Sequence, residues 1–69
     1  MMKVSVEFFP QRRDIIAELP ARSNGHDLME SLLLAPDVHI LVRDDVPIPI
    51  DEELKEGDCV RIIAVVSGG

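Results

Sequence analysis

The 69-residue chain has thirteen acidic and seven basic side chains; its net charge of −6 repels a polyanion such as DNA or RNA. Phe8 and Phe9 are the only aromatic residues, too few to build a platform on which unpaired bases stack. A chain this short has room for one sheet and one covering helix but hardly for a buried catalytic cavity, while a 46% apolar content argues for a packed core.

In chain order, Met2, Val4, Val6 and Phe8 alternate with Lys3, Ser5 and Glu7, the period of a strand with one buried face. Met1-Met2-Lys3 leads straight into that alternation and not into an apolar h-region, so no signal peptide is expected. Pro10 followed by Gln11-Arg12-Arg13 makes a polar turn, and Asp14–Leu19 follow as a second strand with Ile15, Ala17 and Leu19 on one face. So short a spacing makes the pair an antiparallel hairpin ended by Pro20.

Ser23-Asn24-Gly25-His26-Asp27 reads as a helix start, with Asn24 as the cap and Asp27 near the positive end of the helix dipole. Leu28, Leu32 and Ala35 form one helical stripe, widened by Met29 and Leu33, and Pro36 is expected to stop the helix after about ten residues. Val38–Arg43 is a third strand, with Val38, Ile40 and Val42 inward because His39 and Arg43 share the opposite phase. Asp44-Asp45 is a turn. Val46–Ile50 is a short strand whose Pro47 and Pro49 confine it to an edge of the sheet.

Asp51–Leu54 forms one helical turn with Leu54 tucked under the sheet, and Lys55-Glu56-Gly57-Asp58 is a turn. Cys59–Val66 is the last strand, Val60, Ile62 and Ala64 alternating with Cys59, Arg61 and Ile63. The order predicts an α+β fold of β-grasp layout, a mixed sheet of four to five strands crossed on one face by one helix. It forms a single domain over 1–69, with 67–69 as a flexible tail.

The sequence closes on Gly68-Gly69 directly after the apolar run Val60–Val66 and one serine. Without side chains, an extended backbone ending there can thread a channel too narrow for other residues. The terminal carboxylate, with a reference pKa of roughly 3.3–3.7, is ionised at neutral pH and resists nucleophiles until it is converted to an acyl-adenylate or its equivalent. Leu41 and Ile63 are expected to point away from the core and, with Arg43 and Arg61 beside them, to form a docking patch. An acidic surface suits a basic partner face.

With these residues in view, the whole chain resembles ubiquitin-like sulfur carriers of the ThiS/MoaD family. The resemblance runs from Val4-Ser5-Val6 through Leu54-Lys55-Glu56-Gly57-Asp58 to Val65-Val66-Ser67-Gly68-Gly69. It is also similar to small archaeal modifier proteins and to carriers for tRNA thiolation. Asp44-Asp45 stands where many members have Asn-Gly. The resemblance implies a carrier and not an enzyme. An E1-like enzyme spends ATP to adenylate Gly69, and persulfide sulfur converts it to a thiocarboxylate. A synthase or thiolase then uses that sulfur for thiamine, molybdopterin or tRNA. Val66, Ser67 and Gly68 would be the tail the enzyme reads; extended from Val65, the end reaches about 17 Å at ~3.4 Å per residue. The alternative is a protein modifier joined through Gly69 to target lysines.

Other side chains point to no chemistry of their own. Cys59 is the one cysteine, so no internal disulfide is expected; it reads as a packed or half-exposed thiol. His26 and His39 lie on different elements without a cysteine pattern, so no metal is expected. The acids at 51–53, 56 and 58 miss calcium-loop spacing and read as a solvated turn. No apolar stretch approaches the ~18 residues of a membrane span. A cytoplasmic monomer with no bound cofactor, no nucleic acid and no membrane partner is the expectation.

Overall fold

The computed structural model describes residues 1–65; the expected flexible tail at 67–69 lies outside the described residues. Strands β1 (Met2–Phe9), β2 (Arg13–Leu19), β3 (His39–Arg43), β4 (Val46–Ile48) and β5 (Cys59–Ala64) form one sheet in the order β2-β1-β5-β3-β4. Only β1 and β5 run parallel; β1–β2, β3–β5 and β3–β4 are antiparallel. Helix α1 (Gly25–Ser31) covers one face. The core lies between them: Met2, Val4, Val6, Ala17, Leu19, Leu41, Val60 and Ile62 from the sheet, Leu28 and Met29 from the helix, and Leu54 from the connection before β5.

α1 starts where its sequence says it should. Asn24 Oδ1 accepts from the Asp27 N–H at 2.9 Å, and Asp27 Oδ2 accepts from the Asn24 N–H at 2.9 Å, a reciprocal capping box. The free N–H groups of its first turn reach the connection before β5: Gly25 donates to Glu52 O at 3.2 Å and His26 to Ile50 O at 2.8 Å. Gly25 is required by this contact, because a Cβ there would collide with Leu41 Cδ2 and sit 2.7 Å from Ile50 O.

The helix ends earlier than Pro36 predicts. Leu33 adopts φ 59°, its N–H donates to Glu30 O at 3.1 Å, and the Leu34 N–H reaches Met29 O at 2.9 Å. That pattern is a Schellman cap. Leu33 therefore points to solvent, 93% exposed, instead of widening the apolar stripe, and Ala35 is exposed beyond the helix. Leu34 instead packs against the core that contains Met29, the apolar contact that accompanies such caps. Pro36–Val38 form a 3-10 turn, so β3 begins at His39.

β3 also corrects the predicted phase. Leu41 is opposite the core residue Ile62 and is 2% exposed, whereas Val38 and Ile40 are each 42% exposed. Residues directly opposite in a sheet share a face, so Leu41 must face inward and Ile40 outward. Val42 faces outward with Ile40 yet is still buried. Elsewhere the elements lie close to expectation: β4 is an edge strand and Leu54 is buried, although Asp51–Leu54 makes a turn and an isolated bridge instead of a helical turn. No helix among the described residues is long and apolar enough to cross a membrane.

A leucine in the left-handed region is strained by roughly 1–2 kcal/mol, and Leu33 gains no burial in return. Leu33→Gly is expected to raise the unfolding free energy by about 1 kcal/mol, read by urea denaturation with an unchanged slope.

Candidate functional site

β5 is the strand that leads to the C-terminal residues, and it lies in the middle of the sheet. β1 holds one edge through Ser5↔Cys59 to Phe9↔Ile63, and β3 holds the other through Arg43↔Val60 to His39↔Ala64. One residue further, the Val65 N–H still donates to Val38 O at 2.8 Å. The backbone entering the tail is thus held on both sides as far as Ile63, and on the β3 side as far as Val65, its last described residue. Val66, Ser67, Gly68 and Gly69, the residues expected to be read or activated, lie outside the described residues.

A parallel strand needs an external device to set its register, and the turn at Lys55–Asp58 supplies it. The Asp58 N–H donates to Lys55 O at 3.0 Å, and Gly57 takes φ 83°, a conformation that suits glycine. The turn is sewn to the backbone of β1 by three hydrogen bonds. Glu56 Oε1 accepts from the Lys3 N–H at 3.0 Å, the Gly57 N–H donates to Lys3 O at 2.9 Å, and the Ser5 N–H donates to Asp58 O at 2.8 Å.

Arg43 ties β3 to the same turn. Its Nη1 donates to Asp58 Oδ2 at 3.1 Å and to Glu53 O at 3.3 Å, and its Nη2 to Glu52 Oε2 at 2.9 Å. Burial alone would lower the Arg43 pKa, but the hydrogen bonds to Asp58 and Glu52 outweigh it and raise the value. Asp58 Oδ2 also accepts from the Lys55 N–H at 2.8 Å. The acids read as a solvated turn therefore include two that hold an arginine, and Arg43 is a structural side chain.

That removes half of the expected docking patch. Leu41 is in the core, and Arg43 shares its side of β3, so neither lines the open face. Ile63 and Arg61 do lie on the open face, the side away from α1. There the register creates a row that the sequence reading missed: Phe9, Ile63 and Ile40 stand side by side on β1, β5 and β3. Phe9 is 43% exposed and Ile40 42%, and Ile63 is half-buried between them. The row sits at the end of β5 that leads into the tail. Only the strand order brings these three together.

The next row toward the other end, Glu7–Arg61–Val42, carries an ion pair beside the buried Val42. Arg61 Nε donates to Glu7 Oε1 at 2.7 Å, and Arg61 Nη1 lies 3.7 Å from Asp45 Oδ1. The hydrogen bond to Glu7 is the main cause of the raised Arg61 pKa. Beyond it, Ser5 and Cys59 floor a shallow hollow of about 570 Å³, with Ile16 and Asp14 on one side and Asp44-Asp45 on the other. Asp44 and Asp45 both have positive φ, 55° and 63°, the geometry for which Asn-Gly is usual in a two-residue hairpin. Cys59 is exposed and lies five residues before Ala64, about 16 Å along the strand from the tail end. His26 and His39 sit on separate elements, and His39 Nδ1 is 2.7 Å from Ala35 O.

Comparisons with known proteins agree with this architecture. A sequence model of the ThiS family matches residues 6–69. An uncharacterized protein of Archaeoglobus fulgidus is 33% identical over 73 aligned positions, covering 99% of this chain and all of that one. Among solved structures, a protein assigned as molybdopterin converting factor subunit 1 of Pyrococcus furiosus superposes with a TM-score of 0.78 at 24% identity, covering 96% of this chain and 100% of its own. SAMP1 of Haloferax volcanii gives 0.75 at 15% identity over 97% and 99%, and a ubiquitin of Caldiarchaeum subterraneum 0.72 at 17% over 99% and 98%. The fold is the ubiquitin-like β-grasp.

Arg43→Ala should lower stability by about 1 kcal/mol, because its two ion pairs are partly solvent-screened. Arg43→Lys should recover only part of that, since lysine cannot reach Glu52 and Asp58 with one planar fork. Parallel denaturation curves of the three proteins check both.

Proposed function

The chain belongs to the ThiS family, whose members are small sulfur carriers and not enzymes, and on that footing we propose that Gly69 is its activated residue. An E1-like enzyme joins the Gly69 carboxylate to the α-phosphate of ATP, and pyrophosphate leaves. A persulfide sulfur then attacks the acyl carbon, and AMP departs with the electrons of the mixed-anhydride bond. A thiol reduces the resulting acyl disulfide, leaving a thiocarboxylate on Gly69 and a disulfide on the donor side. The terminal sulfur is then available to a sulfur-accepting synthase or thiolase in thiamine, molybdopterin or tRNA thiolation.

The observation that carries this reading is the family match, which extends through Gly69. The geometry gives it a physical basis. β5 is hydrogen-bonded on both edges, and Val65 is pinned to Val38, so the tail starts from a fixed point. The apolar row Phe9–Ile63–Ile40 lies beside that point and serves as the surface on which the activating enzyme docks. Gly68 lets the backbone pass closely through the adenylating site. The same adenylate also serves amide formation with a lysine, and the experiment below separates the two outcomes.

Co-expression with the E1-like enzyme, followed by ATP and a sulfur donor, should yield a protein heavier by one oxygen-to-sulfur exchange in an intact-mass spectrum. Unchanged mass beside an E1 proven active, or a product found only as lysine conjugates bearing the C-terminal remnant, contradicts the carrier reading. Ile63→Asp should slow that conversion about tenfold or more by removing the centre of the apolar row. Because Ile63 is half-buried in a central strand, the variant should also lose some stability, so its rate is compared where circular dichroism shows both proteins folded; an unchanged conversion rate there counts against the docking surface.

A further inference from the structure

The two outer edges of the sheet are built differently. β4 has three residues, includes Pro47 and is followed by Pro49, so it offers little backbone for pairing. β2 runs from Arg13 to Leu19 without a proline, and among the described residues no strand pairs with its outer side. Alternate N–H and C=O groups along it point away from β1 into solvent. An edge of this kind is a template for a further strand.

The side chains beside it narrow what fits. On the open face β2 presents Asp14, Ile16 and Glu18, all exposed, with Ile16 at 62%. Toward the helix, a hollow of about 520 Å³ is bordered by Glu18, Leu19, Arg22, Asp27 and Glu30 among others. On β1, Lys3 stands opposite Glu18 without an ion pair between them, and Glu7 stands opposite Asp14, while Arg13 lies at one end of β2 and Arg22 beyond the other. Among the described residues neither Asp14 nor Glu18 makes a salt bridge. A second copy pairing along all seven residues would set Asp14 of each copy against Glu18 of the other, a repulsive arrangement.

We propose that the outer edge of β2 docks an extended basic segment of a partner protein as an added strand. Its central apolar side chain lies beside Ile16, and a lysine or arginine two residues to either side lies opposite Asp14 and Glu18. β1 separates this edge from β5, so a partner bound here leaves the Ile63 row and the tail entrance open. The chain can then be held by one protein while it presents its end to another. This inference stands independently of Gly69 chemistry.

The test is an amide-shift titration of the isotope-labelled full chain with the peptide Thr-Lys-Val-Ile-Val-Lys-Thr, and with its counterpart carrying Glu in place of both Lys. The Lys peptide should produce saturable shifts centred on Arg13–Leu19 and slow exchange of the outward amides there. The double variant Asp14→Lys, Glu18→Lys, whose sites are exposed, should bind it about tenfold more weakly and prefer the Glu peptide. The variant's own spectrum reports that the β1–β2 pairing is intact. Absence of saturable shifts, equal binding of the two peptides, shifts centred on Ile40 and Ile63, or a concentration-dependent dimer through β2 would each overturn the proposal.

Discussion

Parallel neighbours cannot be joined by a tight hairpin, so β5 must find its place beside β1 through contacts made before it begins. Glu56, Gly57 and Asp58 make them with Lys3 and Ser5, and Asp58 receives Arg43 from the strand on the other side. One turn thereby fixes the last strand against both of its neighbours. The preceding connection is stitched to α1 through Gly25 and His26 and buries Leu54 beneath the sheet. If this turn slipped by one residue, Val60 and Ile62 would leave the core and Arg61 and Ile63 would enter it. The exposed apolar row exists only in the register that the turn imposes.

The sequence made the local features legible because their causes are local. Alternation along Met2–Phe8, the Asn24–Asp27 capping box and the prolines of β4 each express themselves within a few residues. The end of α1 was hidden because three consecutive leucines carry no breaker. Leu33 is forced into a left-handed conformation so that Leu34 can reach the core. The phase of β3 was hidden for a different reason. His39 and Arg43 are polar, which suggests a solvent face, yet one meets Ala35 O and the other a prepared set of acids. Polar residues with partners at the rim of a sheet imitate an outward strand. Ile63 and Arg61 were placed on the correct side because β5 alternates cleanly, whereas Phe9 and Ile40 needed the strand order.

The acidic residues do not act as one field. Glu52, Glu56 and Asp58 hold the turn before β5, Asp27 caps α1, and Glu7 and Asp45 neutralise Arg61. Asp14 and Glu18 make no such pairing among the described residues and flank the open edge of β2. Exposed apolar side chains are thus gathered at the Val65 end of β5, and carboxylates without an ion pair along an outer edge. A small carrier that visits more than one protein benefits from such separation, because two surfaces can be occupied without competing for the same side chains.

The most direct measurement is pyrophosphate exchange. The E1-like enzyme is given ATP, labelled pyrophosphate and either the native chain or one extended by a single alanine after Gly69. The account predicts that the native chain drives label into ATP, as reversible adenylation of Gly69 requires, and that the extended chain does not. Exchange that proceeds equally with both proteins, or with neither beside an enzyme that adenylates another carrier, would contradict it.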